Sequence, residues 1–326
     1  MKNSNKILLV APSTYGFYDH IVKGFERSGF EVRFYDEHRF LPFSRLLFKL
    51  PRKILEVVHQ SYFKEILMDN LDVDIVLMVR CEYLKNGTLE CYRRLLPKAK
   101  FIMYQWDFQA NLPNLLSQYK YFDEIYSFDK KDCIKFGFKH KPLFFNSNHI
   151  EARNSKKEFL FCFVGTDHSD RYFQIQQFLA KNMPLKEQVL LHLYRPLRSI
   201  ILSCVKDIAF LIKRDLSIYK TKPLNENETL LAMASSDIIL DFTPENQDGL
   251  TMRTLEALGL CRKLVTTNSS VKEYDFYSPN NILIISGDNM EVSSEFLDSV
   301  YTQVPSEILD KYFVNEWVKE FVPKSE

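Results

Sequence analysis

The segment from residue 241 to 259 holds the side chains whose types and spacing most suggest chemistry. It reads DFTPENQDGLTMRTLEALG. Gly249 precedes a predicted helix, and the free N–H groups at the start of such a helix can bind a diphosphate. Asp248 lies at the predicted helix start, where a carboxylate can act as a cap. Arg253 could add positive charge, and Glu256, about two turns after Asp248, could accept hydrogen bonds from ribose hydroxyls.

A second segment, residues 159–172, reads FLFCFVGTDHSDRY and joins a predicted buried strand to a polar loop. The strand is expected to end at Val164, so that Gly165 would let a ligand approach the backbone closely. Arg171 follows, and an arginine fork suits phosphate oxygens. The alternative for residues 159–172 is a surface arginine beside a capped helix. The alternative for residues 241–259 is a capped amphipathic helix with an incidental glutamate.

The spacing D-x7-E, with a glycine after the first acid, resembles the E-x7-E signature of GT-B glycosyltransferases of bacterial capsule and lipopolysaccharide synthesis. The resemblance implies that Asp248 lies near the transferred sugar and that Glu256 binds the nucleotide ribose. Asp248 replaces the usual glutamate, which shortens its reach. Arg171 resembles the basic residue that neutralises the donor diphosphate, and Thr166 stands where the family often has a further basic residue. The implied donor-site residues are Gly165, Thr166, Arg171, Asp248, Gly249, Leu250, Thr251, Arg253 and Glu256.

The first half of the chain offers candidates for an acceptor site. Tyr15 and Gly16 follow the first predicted strand and could open a loop to an acceptor. Trp106 follows a later strand and could stack on a sugar ring. Asp107 could act as a general base for an acceptor hydroxyl, with His20 as the second candidate; the alternative for Asp107 is a helix cap or a structural hydrogen bond. Only inverting transfer requires such a base, so the sequence leaves the stereochemistry open.

Short apolar runs alternate with amphipathic helices along the 326 residues, a rhythm typical of parallel α/β sheets. With the resemblance, it predicts two Rossmann-like doubly wound domains of the GT-B type. Residues 1–150 would form the acceptor domain and 151–326 the donor domain, with a linker at 151–158 and a last helix that could cross back to the first domain. The predicted strands are Lys6–Ala11, Asp74–Arg80, Phe101–Gln105, Glu124–Phe128, Pro142–Phe145, Phe159–Val164, Val189–Tyr194, Asp237–Asp241, Lys263–Thr267 and Asn281–Ile285.

The distribution of charged and apolar residues along the chain indicates which kinds of binding partner to expect. Residues 1–150 carry 23 Lys and Arg against 17 Asp and Glu, whereas residues 151–326 carry 20 against 25. A basic first half favours an anionic surface or acceptor, and no groove-reading motif indicates nucleic acid. The basic, apolar stretch 40–63 could lie on a membrane surface. No apolar run is long enough to span a bilayer and no signal peptide is recognisable, so a cytoplasmic protein is expected, and peripheral contact with the inner membrane stays open.

The sequence therefore predicts a glycosyltransferase that moves a sugar from a nucleotide-diphosphate sugar to a glycan or lipid-linked acceptor. Positive charge and a helix dipole would stabilise the leaving group, so no metal and no other cofactor is expected. The six cysteines show no zinc-ligand spacing. Three alternatives stay open: a nucleotide-sugar 2-epimerase of the same architecture, a non-catalytic sugar-nucleotide-binding protein, and a membrane-surface scaffold.

Overall fold

The computed structural model describes residues 5–13, 16–37, 39, 52–244, 248–287 and 289–323. The chain forms two compact units. Unit 1 contains the residues up to Leu143 together with those from Val314 onward, and unit 2 contains Phe144–Phe313. The predicted boundary at residue 150 falls inside the helix Ser147–Glu151, within unit 2.

Unit 1 is built on a parallel sheet with the strand order β2-β1-β3-β4-β5-β6. The strands are β1 Lys6–Ala11, β2 Glu31–Asp36, β3 Ile75–Val79, β4 Lys100–Gln105, β5 Glu124–Ser127 and β6 Lys139–His140. The described α-helices are Phe17–Arg27, Arg52–Asp69, Asn86–Leu95, Lys130–Phe136 and Val314–Trp317, with 3-10 turns at Gln109–Asn111, Pro113–Tyr121 and Val318–Phe321.

The core of unit 1 forms because its central strands are apolar on both faces. On one face, side chains such as Val76 and Met103 pack with the helices Arg52–Asp69 and Asn86–Leu95. The end of the chain is part of the same unit: the indole N–H of Trp317 donates to the carbonyl of Pro142 at 2.8 Å. Trp317 and Phe321 are almost fully buried, so burial of these two aromatic rings holds the C-terminal segment in unit 1.

Unit 2 is built on a second parallel sheet with the order β12-β11-β10-β7-β8-β9. The strands are β7 Phe159–Thr166, β8 Val189–Tyr194, β9 Tyr219–Lys220, β10 Ser236–Asp241, β11 Lys263–Thr266 and β12 Ile282–Ile284. The described α-helices are Ser147–Glu151, Arg171–Lys181, Leu197–Lys206, Ile208–Lys213, Glu226–Ala234, Met252–Leu260, Ser294–Asp298 and Ser306–Tyr312, with 3-10 turns at Ala152–Asn154, Met183–Gln188, Leu216–Ile218 and Ser269–Glu273.

The predicted α/β class with two parallel, doubly wound sheets is confirmed, but several elements differ. The prediction missed β2, a half-buried edge strand whose sequence EVRFYD mixes charged and apolar residues. The expected strand at 142–145 is wrong, because only Phe145 forms a bridge, to Phe313. The last helix, expected to be continuous, is interrupted at Phe313.

Candidate active site

Asp241 organises the carboxyl end of β10, the edge at which parallel α/β sheets bind their ligands. The side chain is fully buried. It accepts hydrogen bonds from the hydroxyl of Thr251 at 2.7 Å, from the hydroxyl of Thr254 at 3.1 Å and from Nη1 of Arg253 at 3.1 Å. One carboxylate therefore fixes both the start of the helix Met252–Leu260 and the arginine in its first turn.

The cap of this helix is Thr251, whose hydroxyl accepts from the N–H of Thr254 at 3.3 Å. The prediction that Asp248 is the cap is wrong, because the helix begins at Met252 and Asp248 lies in the preceding loop. The side-chain amide of the buried Asn268 donates to the carbonyls of Asp248 and Gly249 at 3.3 and 3.2 Å. The adjoining Leu250 is also buried, so this part of the loop is held in one place.

Gly165 and Thr166 belong to β7 itself, where Gly165 pairs with Leu193 of β8, and not to a loop after it. The space beside Gly165 is taken by the protein. A Cβ atom there would lie 3.0 Å from the Phe163 ring and 3.1 Å from Nη2 of Arg253. Arg253 also donates to the carbonyl of Val164 and stacks over the Phe163 ring at 5.3 Å. The missing side chain of Gly165 thus makes room for Arg253.

Arg171 brings a second guanidinium to the same strand ends. It is the first residue of the helix Arg171–Lys181 and is buried. Nε donates to the carbonyl of Phe242 at 3.2 Å, and Nη1 donates to the carbonyl of Thr166 at 2.7 Å. Among the residues that the structure describes, no carboxylate lies within ion-pairing distance of Arg171. Burial, together with the charge of Arg253, lowers the pKa of Arg171 to about 10, which still leaves it cationic at neutral pH.

Glu256 lies one turn further along the helix that carries Arg253. Its side chain is 15% exposed, and Oε1 lies 3.9 Å from Nε2 of the buried His149. Burial raises the pKa of Glu256 to about 7, the charge of Arg253 opposes the shift and that of Asp241 adds to it. Near neutral pH this carboxyl group therefore exists in both protonation states.

Sequence patterns did not single out two buried carboxylates of unit 2, those of Asp241 and Asp167. Asp167 follows β7 directly, and its Oδ2 accepts from Arg195 at 2.5 Å, Arg214 at 3.0 Å and the hydroxyl of Tyr219 at 3.0 Å. The signal in both cases was an aspartate at the end of a strongly apolar strand. Such an acid must be paired when it is buried, and the partners lie far away in the sequence.

The candidate acceptor residues lie at the carboxyl ends of β1 and β4 in unit 1, except Tyr15, which is outside the described residues. Gly16 adopts a positive φ of 73° before the helix Phe17–Arg27. His20 is buried on that helix, and Trp106 meets the Phe17 ring edge to face at 6.4 Å. Oδ1 of Asp107 accepts from the N–H of Phe108 and from Asn111, which is the structural hydrogen bonding considered as the alternative. The roles of these residues stay predictions.

Unit 1 also holds an acidic group at this edge that the sequence did not indicate. Glu37 follows β2, is fully buried and accepts from the N–H of Tyr83 at 3.1 Å. Burial raises the pKa of Glu37 to about 8. Arg80, just after β3, donates to Glu82 at 2.9 Å, and its Nη2 lies 3.9 Å from Oδ2 of Asp107. The carboxyl groups of Glu37, Glu82 and Asp107 thus all lie near the guanidinium of Arg80.

Membrane and metal features are reported for the described residues alone. No described helix combines the length and the apolar character needed to cross a membrane. The same residues show no group of three or more His, Cys, Asp or Glu side chains placed to hold a metal ion. Most of the stretch 40–63, predicted to contact a membrane, lies outside the described residues, and only its end, in the helix Arg52–Asp69, is described.

Comparison with known proteins shows which solved structures share this fold. The sequence matches no protein-family model, and no curated protein matches it. The chain is similar to the crystal structure of a glycosyltransferase from Rickettsia africae ESF-5, with a TM-score of 0.57 and 11% identity over 99% of this chain and 100% of that chain. It is also similar to Anabaena HepE in complex with UDP-glucose, with a TM-score of 0.59 and 11% identity over 97% and 98% of the two chains. The predicted GT-B architecture is thereby confirmed at the level of the fold.

Proposed function

We propose that this chain is a glycosyltransferase whose unit 2 binds a nucleotide-diphosphate sugar at the carboxyl ends of β7 and β10. One observation carries the proposal. Arg171 and Arg253 both donate to backbone carbonyls at these strand ends, and of the two only Arg253 pairs with Asp241. The edge therefore has excess positive charge at the place where parallel sheets bind ligands, and a diphosphate would compensate that charge.

The diphosphate would lie against the arginines and the start of the helix Met252–Leu260. The positive end of the helix dipole favours an anion there. The bonds from Arg253 to Asp241 and the Val164 carbonyl fix its guanidinium before any ligand arrives. A fixed cation loses little conformational entropy on binding, so this arrangement suits recognition of a leaving group.

Glu256 is the candidate ligand for the ribose. Its ionised carboxylate can accept two hydrogen bonds, one from each ribose hydroxyl. Because its pKa is about 7, donor binding should favour the ionised form and release a proton when the pH is below that value. His149, at 3.9 Å, would support the ionised form when it is itself protonated.

In the proposed reaction an acceptor hydroxyl attacks the anomeric carbon of the donor. The bond between that carbon and the diphosphate oxygen breaks, and the nucleotide diphosphate leaves with the electron pair. The acceptor oxygen loses its proton to a base, for which Asp107 and His20 stay the candidates, or to the departing phosphate. We propose transfer without a metal, to a cell-surface glycan or a lipid-linked acceptor bound by unit 1.

The solved relatives suggest where to begin. HepE, which shares the fold, was crystallised with UDP-glucose and with UDP and glucose. UDP is therefore the first nucleotide to test, followed by GDP, dTDP, CMP and ADP. A ligand present at a hundred times its Kd stabilises a protein by about 2.7 kcal/mol, which thermal unfolding detects easily.

The test compares wild type with Glu256→Gln, using Glu187→Gln as the matched control because Glu187 is exposed in the same unit. One diphosphate should raise the Tm of wild type and of the control, and it should raise that of Glu256→Gln much less. Product analysis with the matching nucleotide sugar then follows. Transfer to an added acceptor supports the proposal. Isomerisation of the donor without an acceptor would identify an epimerase, and binding without turnover would identify a non-catalytic binder. No stabilisation by any nucleotide would contradict the donor site.

A further inference from the structure

The helices Leu197–Lys206 and Ile208–Lys213 of unit 2 expose apolar side chains to solvent. Leu197, Ile201 and Val205 are 57%, 54% and 79% exposed, and Leu202 and Ile212 are 45% and 76% exposed. We call these five residues, with the basic residues Arg198, Lys206 and Lys213, the 197–213 surface.

On the helix Leu197–Lys206, the spacing of the exposed residues shows one face and not scattered exposure. Leu197, Ile201 and Val205 follow one another at intervals of four, so they form a continuous row along the helix. Arg198, Leu202 and Lys206 form the adjacent row. Monomeric soluble proteins rarely leave such a contiguous apolar surface uncovered, and it usually marks an interaction site.

The inner side of this helix pair is firmly anchored. Arg195 and Arg214, which flank the two helices in sequence, both donate to Oδ2 of Asp167. Arg195 also donates to the hydroxyl of Ser203 at 2.7 Å and stacks over the ring of Phe210 at 4.7 Å. These contacts hold the two helices on unit 2 through their inward side chains. They do not involve the apolar side chains that face solvent, so the exposure of those side chains needs another explanation.

Charge indicates which partner fits. Arg198, Lys206 and Lys213 are all exposed, and Asp207, also exposed, is the one acidic residue in the sequence from 196 to 213. A helix with an exposed apolar row bordered by basic residues is typical of one that lies in the interface of an anionic membrane. The helix Arg52–Asp69 also exposes apolar residues, but Glu65 and Asp69 are exposed on it as well, so it complements an anionic surface less well.

We propose that the 197–213 surface is a lipid-docking site that lies on an anionic bilayer. Leu197, Ile201 and Val205 would enter the boundary between headgroups and acyl chains, while the basic residues contact phosphate headgroups. The proposal is independent of nucleotide binding, because none of these residues takes part in the candidate donor site.

The test is flotation of the full chain, without nucleotide, with vesicles of phosphatidylcholine or of equimolar phosphatidylglycerol and phosphatidylcholine. Wild type should float with the anionic vesicles, and less so as salt is added. The double variant Ile201→Ser, Val205→Ser should bind about tenfold more weakly or worse, because two exposed apolar anchors are lost. The charge reversal Arg198→Glu, Lys206→Glu should abolish the preference for anionic lipid.

Matched controls are available in unit 2. Val300 is 83% exposed and Lys272 is exposed, so Val300→Ser and Lys272→Glu change the same chemistry away from the surface. Both should bind vesicles like wild type. The proposal is overturned if wild type does not bind vesicles, or if the controls lose as much binding as the variants of the 197–213 surface. It is also overturned if wild type is a dimer and the double serine variant is a monomer that binds vesicles as well as wild type does. Melting with nucleotide, measured separately, distinguishes these failures from a failure of the donor site.

Discussion

Among the described residues, the carboxyl ends of the two sheets differ in which charged groups they bring together. In unit 1, the carboxyl groups of Glu37, Glu82 and Asp107 lie near the guanidinium of Arg80. In unit 2, the guanidinium groups of Arg171 and Arg253 lie near Asp241, whose carboxylate pairs with Arg253.

This local pattern opposes the charge of the sequence as a whole. The first 150 residues have a net charge of +6 and the rest of the chain has −5. Yet the acidic edge, formed by Glu37, Glu82 and Asp107, belongs to unit 1. The basic edge, formed by Arg171 and Arg253, belongs to unit 2. The position of charged residues at strand ends, and not the net charge of half of the sequence, therefore decides which ligands a site attracts. An acidic edge suits hydroxyl groups and protons, and a basic edge suits phosphates.

The largest expected effect tests the basic edge. Asp241→Ala removes the partner of Arg253 and leaves a buried cation uncompensated. We expect a loss of about 3–5 kcal/mol in the free energy of unfolding, measured by urea titration. Asp237→Ala, on the same strand but with a half-exposed side chain paired with Lys157, is the control and should cost at most about 1 kcal/mol. Equal losses would mean that Asp241 does not organise this edge.

The acidic edge makes a prediction about pH. Because the folded chain raises the pKa of Glu37 from 4.5 to about 8, the unfolded chain loses this proton first as the pH rises. Stability should therefore fall across that window, by about 1.4 kcal/mol per pH unit while the two states differ by a whole proton. Glu37→Gln should remove this part of the pH dependence, as followed by Tm. The exposed Glu26→Gln should leave it intact, and an unchanged profile in Glu37→Gln would show that the carboxyl is not buried in its neutral form.

Gly165→Ala probes the packing beneath the basic edge. The new Cβ would crowd Phe163 and Arg253, and such overpacking typically costs about 1–3 kcal/mol. Gly87→Ala is the control, because no atom lies within 4 Å of a Cβ there and alanine is the better helix former. A neutral Gly165→Ala would show that Arg253 moves aside without cost.

The smallest expected effect concerns the affinity for nucleotide. If only ionised Glu256 binds the ribose, the affinity for a nucleoside diphosphate should rise about tenfold between one unit below and one unit above its pKa of about 7. Calorimetric titration of wild type and Glu256→Gln separates this change from the titration of the nucleotide itself. The same pH response in both proteins would remove Glu256 from the ribose site.

The sequence predicted the general architecture because parallel strands buried on both faces leave continuous apolar runs, as in ILLV of β1 and FLFCFV of β7. Element ends were harder to predict. The sequence predicts a loop at Gly165, because a glycine after an apolar run is typical of a turn. In the structure, pairing with β8 extends β7 to Thr166.

The candidate site was predicted in its residue types but not in its connections. Glu256 was a candidate because of its spacing from Asp248, and Arg253 because it falls on the same predicted helix; the roles of both stay predictions. The partner of Arg253, Asp241, could not be identified, because the contact depends on how the strand end and the helix start meet in space. Glu37 gave no signal, since its burial follows from tertiary packing and not from the local sequence.

The most direct test of the basic edge is a calorimetric titration of UDP into wild type, Arg171→Gln and the control Arg94→Gln, in which the replaced arginine is exposed. We expect wild type and Arg94→Gln to bind UDP with equal affinity and Arg171→Gln to bind it about tenfold more weakly or not at all. The melting temperatures without ligand show whether Arg171→Gln is folded. Equal affinity of folded Arg171→Gln and wild type would contradict the claim that unit 2 holds the donor diphosphate on this edge.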